Sequence, residues 1–282
     1  MKWLKIIKAI ILQNYRKWKN DYRIWIAVLL LLMFIHSYTK GIGDLCSYCN
    51  IKSSPWIFPF LYANYYEKIL FFLPLLLIFS NAPFIDNNQL YVIARSGRTK
   101  WFIGQVFYIA ITSALYFIFI ILSSILLNLD CISFSNEWGK IITTIANTNV
   151  GTNFNIELNV SKNVIQFFTP VQAMWFTFLH SWFSGMILGY VIFLFNLNIK
   201  GSGTFVASFI LVFSAIASKQ IFLTKYSPIA WSTMNYIQLK SNDGLPTYNY
   251  VCIVYFITIT ALIACIFISS KRFLINTNQG VE

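Results

Sequence analysis

The sequence predicts an all-α polytopic membrane protein. It has six transmembrane helices behind an amphipathic interfacial helix, with the N- and C-termini cytoplasmic. Three observations carry this. Charged residues make up 11% of the chain and hydrophobic ones 57%, whereas soluble domains carry about 25% charged residues. Charge-free intervals run 24–39, 69–85, 101–129, 163–199, 201–218 and 244–270. All but the first hold the ~17 residues that the shortest spanning helix needs, and Arg23 and Lys40 extend that first one by snorkelling. Basic residues, finally, are unevenly shared between the two sides that six spans create.

With an even number of spans both termini share a side. That side holds residues 1–23, the loop 85–100, the turn at Lys200 and the tail from Lys271, with 13 of the 21 Lys and Arg and 3 of the 9 acidic residues. The positive-inside rule puts it in the cytoplasm. The net charge of +12 is therefore a topology signal, and no nucleic-acid partner is expected. A cleaved signal peptide is excluded as a reading, because the basic region of residues 1–23 is too long and no small-x-small site follows the apolar run.

The elements follow in chain order as a single transmembrane domain over 1–282. Residues 1–20 form the interfacial helix: Trp3, Ile7, Ile10, Ile11 and Trp18 fall on one arc, and Lys2, Lys5, Lys8, Arg16 and Lys19 oppose them. Such a helix suits a bilayer surface with acidic lipids. The spans are placed at about 22–39, 67–85, 101–129, 170–197, 203–222 and 248–270. Residues 86–100 form a short cytoplasmic helix and turn, where Asp86, Asn87 and Asn88 can cap, "QLYVIAR" makes about two turns, and Gly97 ends them. A long extracellular loop covers 130–169, and extracellular interface helices cover 224–247.

Motifs for chemistry are sparse. No GxxxxGK[ST], HExxH, paired-carboxylate or nucleophile-elbow pattern occurs, so no cofactor is expected on the chain itself. His36 and His180 lie within spans. A packed histidine is the default for each, and a cargo pathway is the functional alternative. Ser184 near His180 leaves an intramembrane enzyme as a further alternative. Cys46 and Cys49 make a CxxC without a second pair, which fits unrelated residues or an outer disulfide. No carboxylate sits in the middle of a span, so an ion-driven relay has no carrier and the energy must come from a partner.

The stretch "YVIARSGRTKWFIGQ" resembles the loop between the second and third spans of type-2 ABC exporter permeases, although Gln105 stands where many members have Lys. The amphipathic start, Ser227-Pro228 with Trp231 after the fifth span, and the basic "SSKRF" tail are similar too. The resemblance implies a permease dimer, formed with a second copy or a paralogue, above two ABC ATPase subunits that bind ATP and Mg. Residues Asn88, Gln89, Leu90, Tyr91, Ile93, Ala94, Arg95, Ser96, Gly97 and Arg98 would form the coupling helix that contacts the ATPase. Tyr91, Arg95 and Arg98 would make the main contacts. An amphipathic or antimicrobial peptide, or a similar hydrophobic cargo, and a bacterial plasma membrane are the expected substrate and location. A membrane sensor or scaffold driven by the same ATPase, or an exporter of drugs or lipids, stays open.

Overall fold

The computed structural model describes residues 2–84, 89–239 and 244–278. Among them the chain is helical, with no strand beyond an isolated parallel bridge between Ser53 and Ile132. Helix α1 (Lys2–Lys17) leads to Asp21, whose carboxylate accepts the Arg23 N–H at 3.1 Å and starts α2 (Tyr22–Cys49). Then come α3 (Tyr65–Phe79), the short α4 (Gln89–Ser96) and α5 (Arg98–Leu126). A unit between α5 and α9, the segment expected as the outer loop, holds α6 (Gly139–Asn147), α7 (Val150–Asn153) and α8 (Lys162–Phe167). The chain ends with α9 (Pro170–Asn198), α10 (Ser202–Ala217), α11 (Ile221–Thr224) and α12 (Tyr248–Asn278).

Four helices are long and apolar enough to cross a membrane: Tyr22–Cys49, Arg98–Leu126, Pro170–Asn198 and Tyr248–Ser270. The protein is thus a membrane protein by the length and composition of these helices. The intervals read as the second and fifth spans hold shorter helices, α3 with 15 residues and α10 with 16. At 1.5 Å per residue these reach about 22 and 24 Å, short of a ~30 Å hydrocarbon layer. Helix α3 stops at Phe79 because the following carbonyls are taken by other parts of the chain. Asn196 donates to Ala82 O at 2.7 Å and to Ser80 O at 3.3 Å, and Arg23 reaches the Ser80 hydroxyl at 2.7 Å.

Helix α9 is the axis of the bundle and packs against α12, α10, α5 and α3. Its capping box, Thr169 with Gln172, and Pro170 in the first turn fix where it begins. In its most apolar stretch 67% of residues are buried, against 17% for α12, which lies at the edge with most of its surface free.

The segment predicted as a long outer loop is folded. Ile141, Ile142, Ile145 and Ala146 form the buried stripe of α6, while Lys140, Thr144 and Asn147 face out. Trp138 donates its indole N–H to Phe168 O at 2.9 Å and packs on Phe60, and Trp56 donates to Ser135 O at 2.7 Å. The Phe60 and Trp56 contacts bind this unit to the turn between α2 and α3, and the Phe168 contact ties it to the start of α9. The region predicted as interface helices over 224–247 also differs. Residues 227–237 run as two 3₁₀ turns, Ala230–Ser232 and Met234–Tyr236, and are mostly buried among the helices.

Candidate functional site

Helix α4 is a small platform with two distinct sides. Ile93 and Ser96 are buried against the bundle, whereas Tyr91 is 77% exposed and Ala94, Arg95, Gly97 and Arg98 are exposed with it. Positions 91, 94 and 95 recur at three and four residues, so they share one outward face of α4, and Arg98, exposed at the start of α5, lies just beyond the Gly97 break. Gln89 and Leu90 open the helix, and Asn88 lies outside the described residues. The Gly97 N–H closes α4 on Ile93 O at 2.9 Å, and Gly97 O accepts the Trp101 N–H at 3.2 Å to start α5. Gly97 holds φ +85° with nothing within 4 Å of a Cβ built on it. Backbone conformation, not crowding, therefore requires glycine there.

The bed beneath this platform is rigid. Trp101 is fully buried, edge-on to Phe102 at 4.8 Å. Helix α1 lies along α5 through a polar seam: Asn14 donates to Gln105 Oε1 at 2.7 Å, Tyr15 and Thr112 hydroxyls pair at 3.1 Å, and Trp18 donates to the Tyr108 hydroxyl at 2.8 Å. A Cβ on Gly104 would stand 2.8 Å from Ile10, so the absence of a side chain is what lets the two helices approach. The apolar arc of α1 is thus divided. Ile10 is buried, Ile11 and Trp18 pack partly on the core, Ile7 is half-buried, and Trp3 is 53% exposed with the Lys100 ammonium 5.4 Å above its ring.

A second constellation lies among α3, α9, α10 and α12, and sequence reasoning missed it. Lys68 is fully buried and donates to Ala230 O at 2.7 Å and to the Thr233 hydroxyl at 3.3 Å, with its ammonium 4.4 Å from the Tyr236 ring centre. Ser181 donates to Ser232 O at 3.2 Å and pairs with the Tyr62 hydroxyl at 2.7 Å. Tyr255 donates to Pro228 O at 2.7 Å, and Ser184 pairs with the Tyr255 hydroxyl at 2.9 Å. The carbonyls of Ser227 and Ile229 accept backbone N–H groups, whereas those of residues 228, 230 and 232 accept side-chain donors. Each meets a different donor. The advance signals were Lys68, at the margin of an apolar run, and the Ser227-Pro228 and Trp231 element, neither of which announced the clamp.

Among the described residues neither histidine side chain is hydrogen-bonded to a serine or a carboxylate. His36 is exposed on α2. His180 is buried, donates Nδ1–H to Phe176 O at 2.8 Å, and stacks on the Phe176 ring at 4.1 Å. Ser184 is committed to Tyr255 and Pro228. No group of three His, Cys, Asp or Glu that could hold a metal occurs among the described residues.

No protein-family profile, curated protein or solved structure matches the chain.

Proposed function

We propose that the chain is the transmembrane permease subunit of an ATP-driven exporter of the type-2 ABC kind. It moves amphipathic or antimicrobial peptides out of a bacterial cell by alternating access. The observation that carries this reading is α4. A two-turn helix with Tyr91 and Arg95 on its free face is fixed by the buried Ile93 and Ser96, and Gly97 joins it to the base of a long helix that opens with the exposed Arg98. A grip of this form transmits a push only if its bed does not yield, and the α1–α5 seam supplies such a bed.

In this account six segments cross the bilayer with both termini cytoplasmic, and α4 faces the cytoplasm. The two short helices complete their crossings with non-helical chain at their outer ends, residues 57–63 before α3 and 227–237 after α10. Irregular backbone is tolerated at membrane depth only where it is buried in protein, and both stretches are buried. Two ATPase subunits bind ATP and Mg and close on each other, drawing together the α4 helices of two permease copies. Moving a conformational equilibrium from 1:99 to 99:1 takes roughly 5.5 kcal/mol of differential interaction, and the closing ATPase pair provides it.

Co-purification tests the grip. Wild-type chain tagged in its native host retains an ATP-binding subunit, and Arg95→Glu/Arg98→Glu loses it while still eluting as a folded membrane protein. Equal retention by both would remove α4 from the grip.

The folded outer unit favours a second reading, a membrane sensor or scaffold driven by the same ATPase. Ordered chain of this kind can present a surface to an extracellular partner. Deleting the gene separates the two: peptide accumulation in the cell, or lost resistance to a peptide, supports export, whereas unchanged peptide handling with loss of a bound outer partner supports the scaffold.

A further inference from the structure

We propose that Cys46 and Cys131 are joined by a disulfide in the mature protein, fastening the outer unit to α2. The proposal rests on the topology given above, which puts both residues on the outer side.

The two cysteines are 85 positions apart but meet in one seam. Cys46 sits in the last turn of α2, buried, and Cys131 ends the 3₁₀ turn Leu129–Cys131 that follows α5 and packs on α2. The backbone of that turn is pinned: Ser53 N–H donates to Cys131 O at 2.8 Å, and Ser133 N–H donates to Ser53 O at 2.8 Å. The Cys46 sulfur lies 3.9 Å from Cys131 O. The Cys131 sulfur lies 3.7 Å from the place a Cβ would occupy on Gly43, one turn before Cys46 on the same helix. Both sulfurs therefore lie along the same face of α2, with the Cys131 sulfur at ordinary van der Waals distance from position 43. Both are free thiols in this structure.

The CxxC motif suggests a different pair, Cys46 with Cys49. The fold argues against it, because Cys46 turns inward to Cys131 while Cys49 is exposed at the end of α2. Cys252 and Cys265 both belong to α12.

Formation is a two-electron oxidation by thiol–disulfide exchange with an extracellular oxidoreductase that carries a disulfide. The thiolate of Cys131, the more accessible of the two, attacks the donor disulfide and displaces one donor thiolate. The thiolate of Cys46 then attacks the Cys131 sulfur, breaks the mixed disulfide and releases the second donor sulfur. The protein loses two protons and two electrons, and the donor leaves as a dithiol.

The test is peptide mapping of wild-type chain, denatured with a maleimide present and digested without reductant. In parallel, intact cells are treated with a membrane-impermeant maleimide. The expected result is a Cys46–Cys131 linked peptide that reductant separates, with Cys49 labelled from outside. Labelled Cys49 together with alkylated Cys46 and Cys131, or with a Cys46–Cys49 link, would overturn the disulfide and leave the topology standing. Cys49 labelled only after the cells are permeabilised would overturn the topology, and the proposal with it.

Discussion

Replacing Lys68 by methionine keeps most of the side-chain volume and removes the ammonium that holds residues 230–233. In the wild type this group makes a hydrogen bond of 2.7 Å to Ala230 O, a longer one of 3.3 Å to Thr233, and a contact with the Tyr236 ring. A hydrogen bond to a charged group contributes about 1.5–3 kcal/mol, and a stranded buried carbonyl costs about 1–3 kcal/mol. Those two figures describe one lost interaction and do not add. The ring contact contributes about 0.5–2 kcal/mol. Against this, the variant no longer holds a desolvated charge, which offsets part of the loss. A net destabilisation of about 2 kcal/mol follows, roughly a thirtyfold change in an equilibrium constant. At 2–4 °C per kcal/mol this lowers the melting temperature by roughly 4–8 °C. Thermal unfolding in detergent reads the shift, and tryptic cleavage at the exposed Lys225 reports loosening of the adjoining segment. Lys219→Met is the control: Lys219 lies exposed over the Tyr65 ring at 4.1 Å, so it should cost no more than an exposed cation–π contact contributes and leave cleavage at Lys225 unchanged. If Lys68→Met melts and resists trypsin like the control, the clamp is not what holds 227–237.

The α1–α5 seam yields two further predictions. Gln105→Leu alone strands the buried Asn14 amide and should cost about 1–3 kcal/mol, whereas Asn14→Leu/Gln105→Leu should recover most of that loss; a double mutant as unstable as the summed singles would contradict the pairing. Gly104→Leu pushes a side chain into Ile10, which already stands 2.8 Å from a Cβ at that position. It should release α1, seen as new proteolysis between residues 2 and 20 while the rest of the bundle stays intact, and unchanged protection would refute the close approach.

How much of this was legible depends on the range over which each feature is determined. Helices α2, α5, α9 and α12 could be read because a long charge-free run needs no partner to identify it. The α4 turn was readable for a local reason too, since Gly97 ends the helix at a positive φ that favours glycine, although its ψ of 144° is extended and not that of the left-handed cap expected from sequence. The end of α3 was not, because Ser80 and Ala82 carbonyls are claimed by Asn196, more than a hundred residues away. The segment 227–237 has no period of its own, and its form is fixed by Lys68, Ser181 and Tyr255 from three other helices. Helix α1 shows a related gap. Periodicity located its apolar arc but did not say what covers it, and Asn14 facing Gln105 shows that part of the cover is protein. The outer unit followed the same pattern, since the stripe on α6 has meaning only against the turn it packs on.

The central claim is that the outward face of α4 is held by a soluble ATP-binding subunit. Photo-crosslinking from single positions in α4, in membranes of the native host, tests it most directly. A crosslinking residue at Tyr91 should capture the ATP-binding subunit, and the same residue at the buried Ile93 should link only within the chain. Capture of no second protein from position 91, with the chain folded in the membrane, would contradict the account.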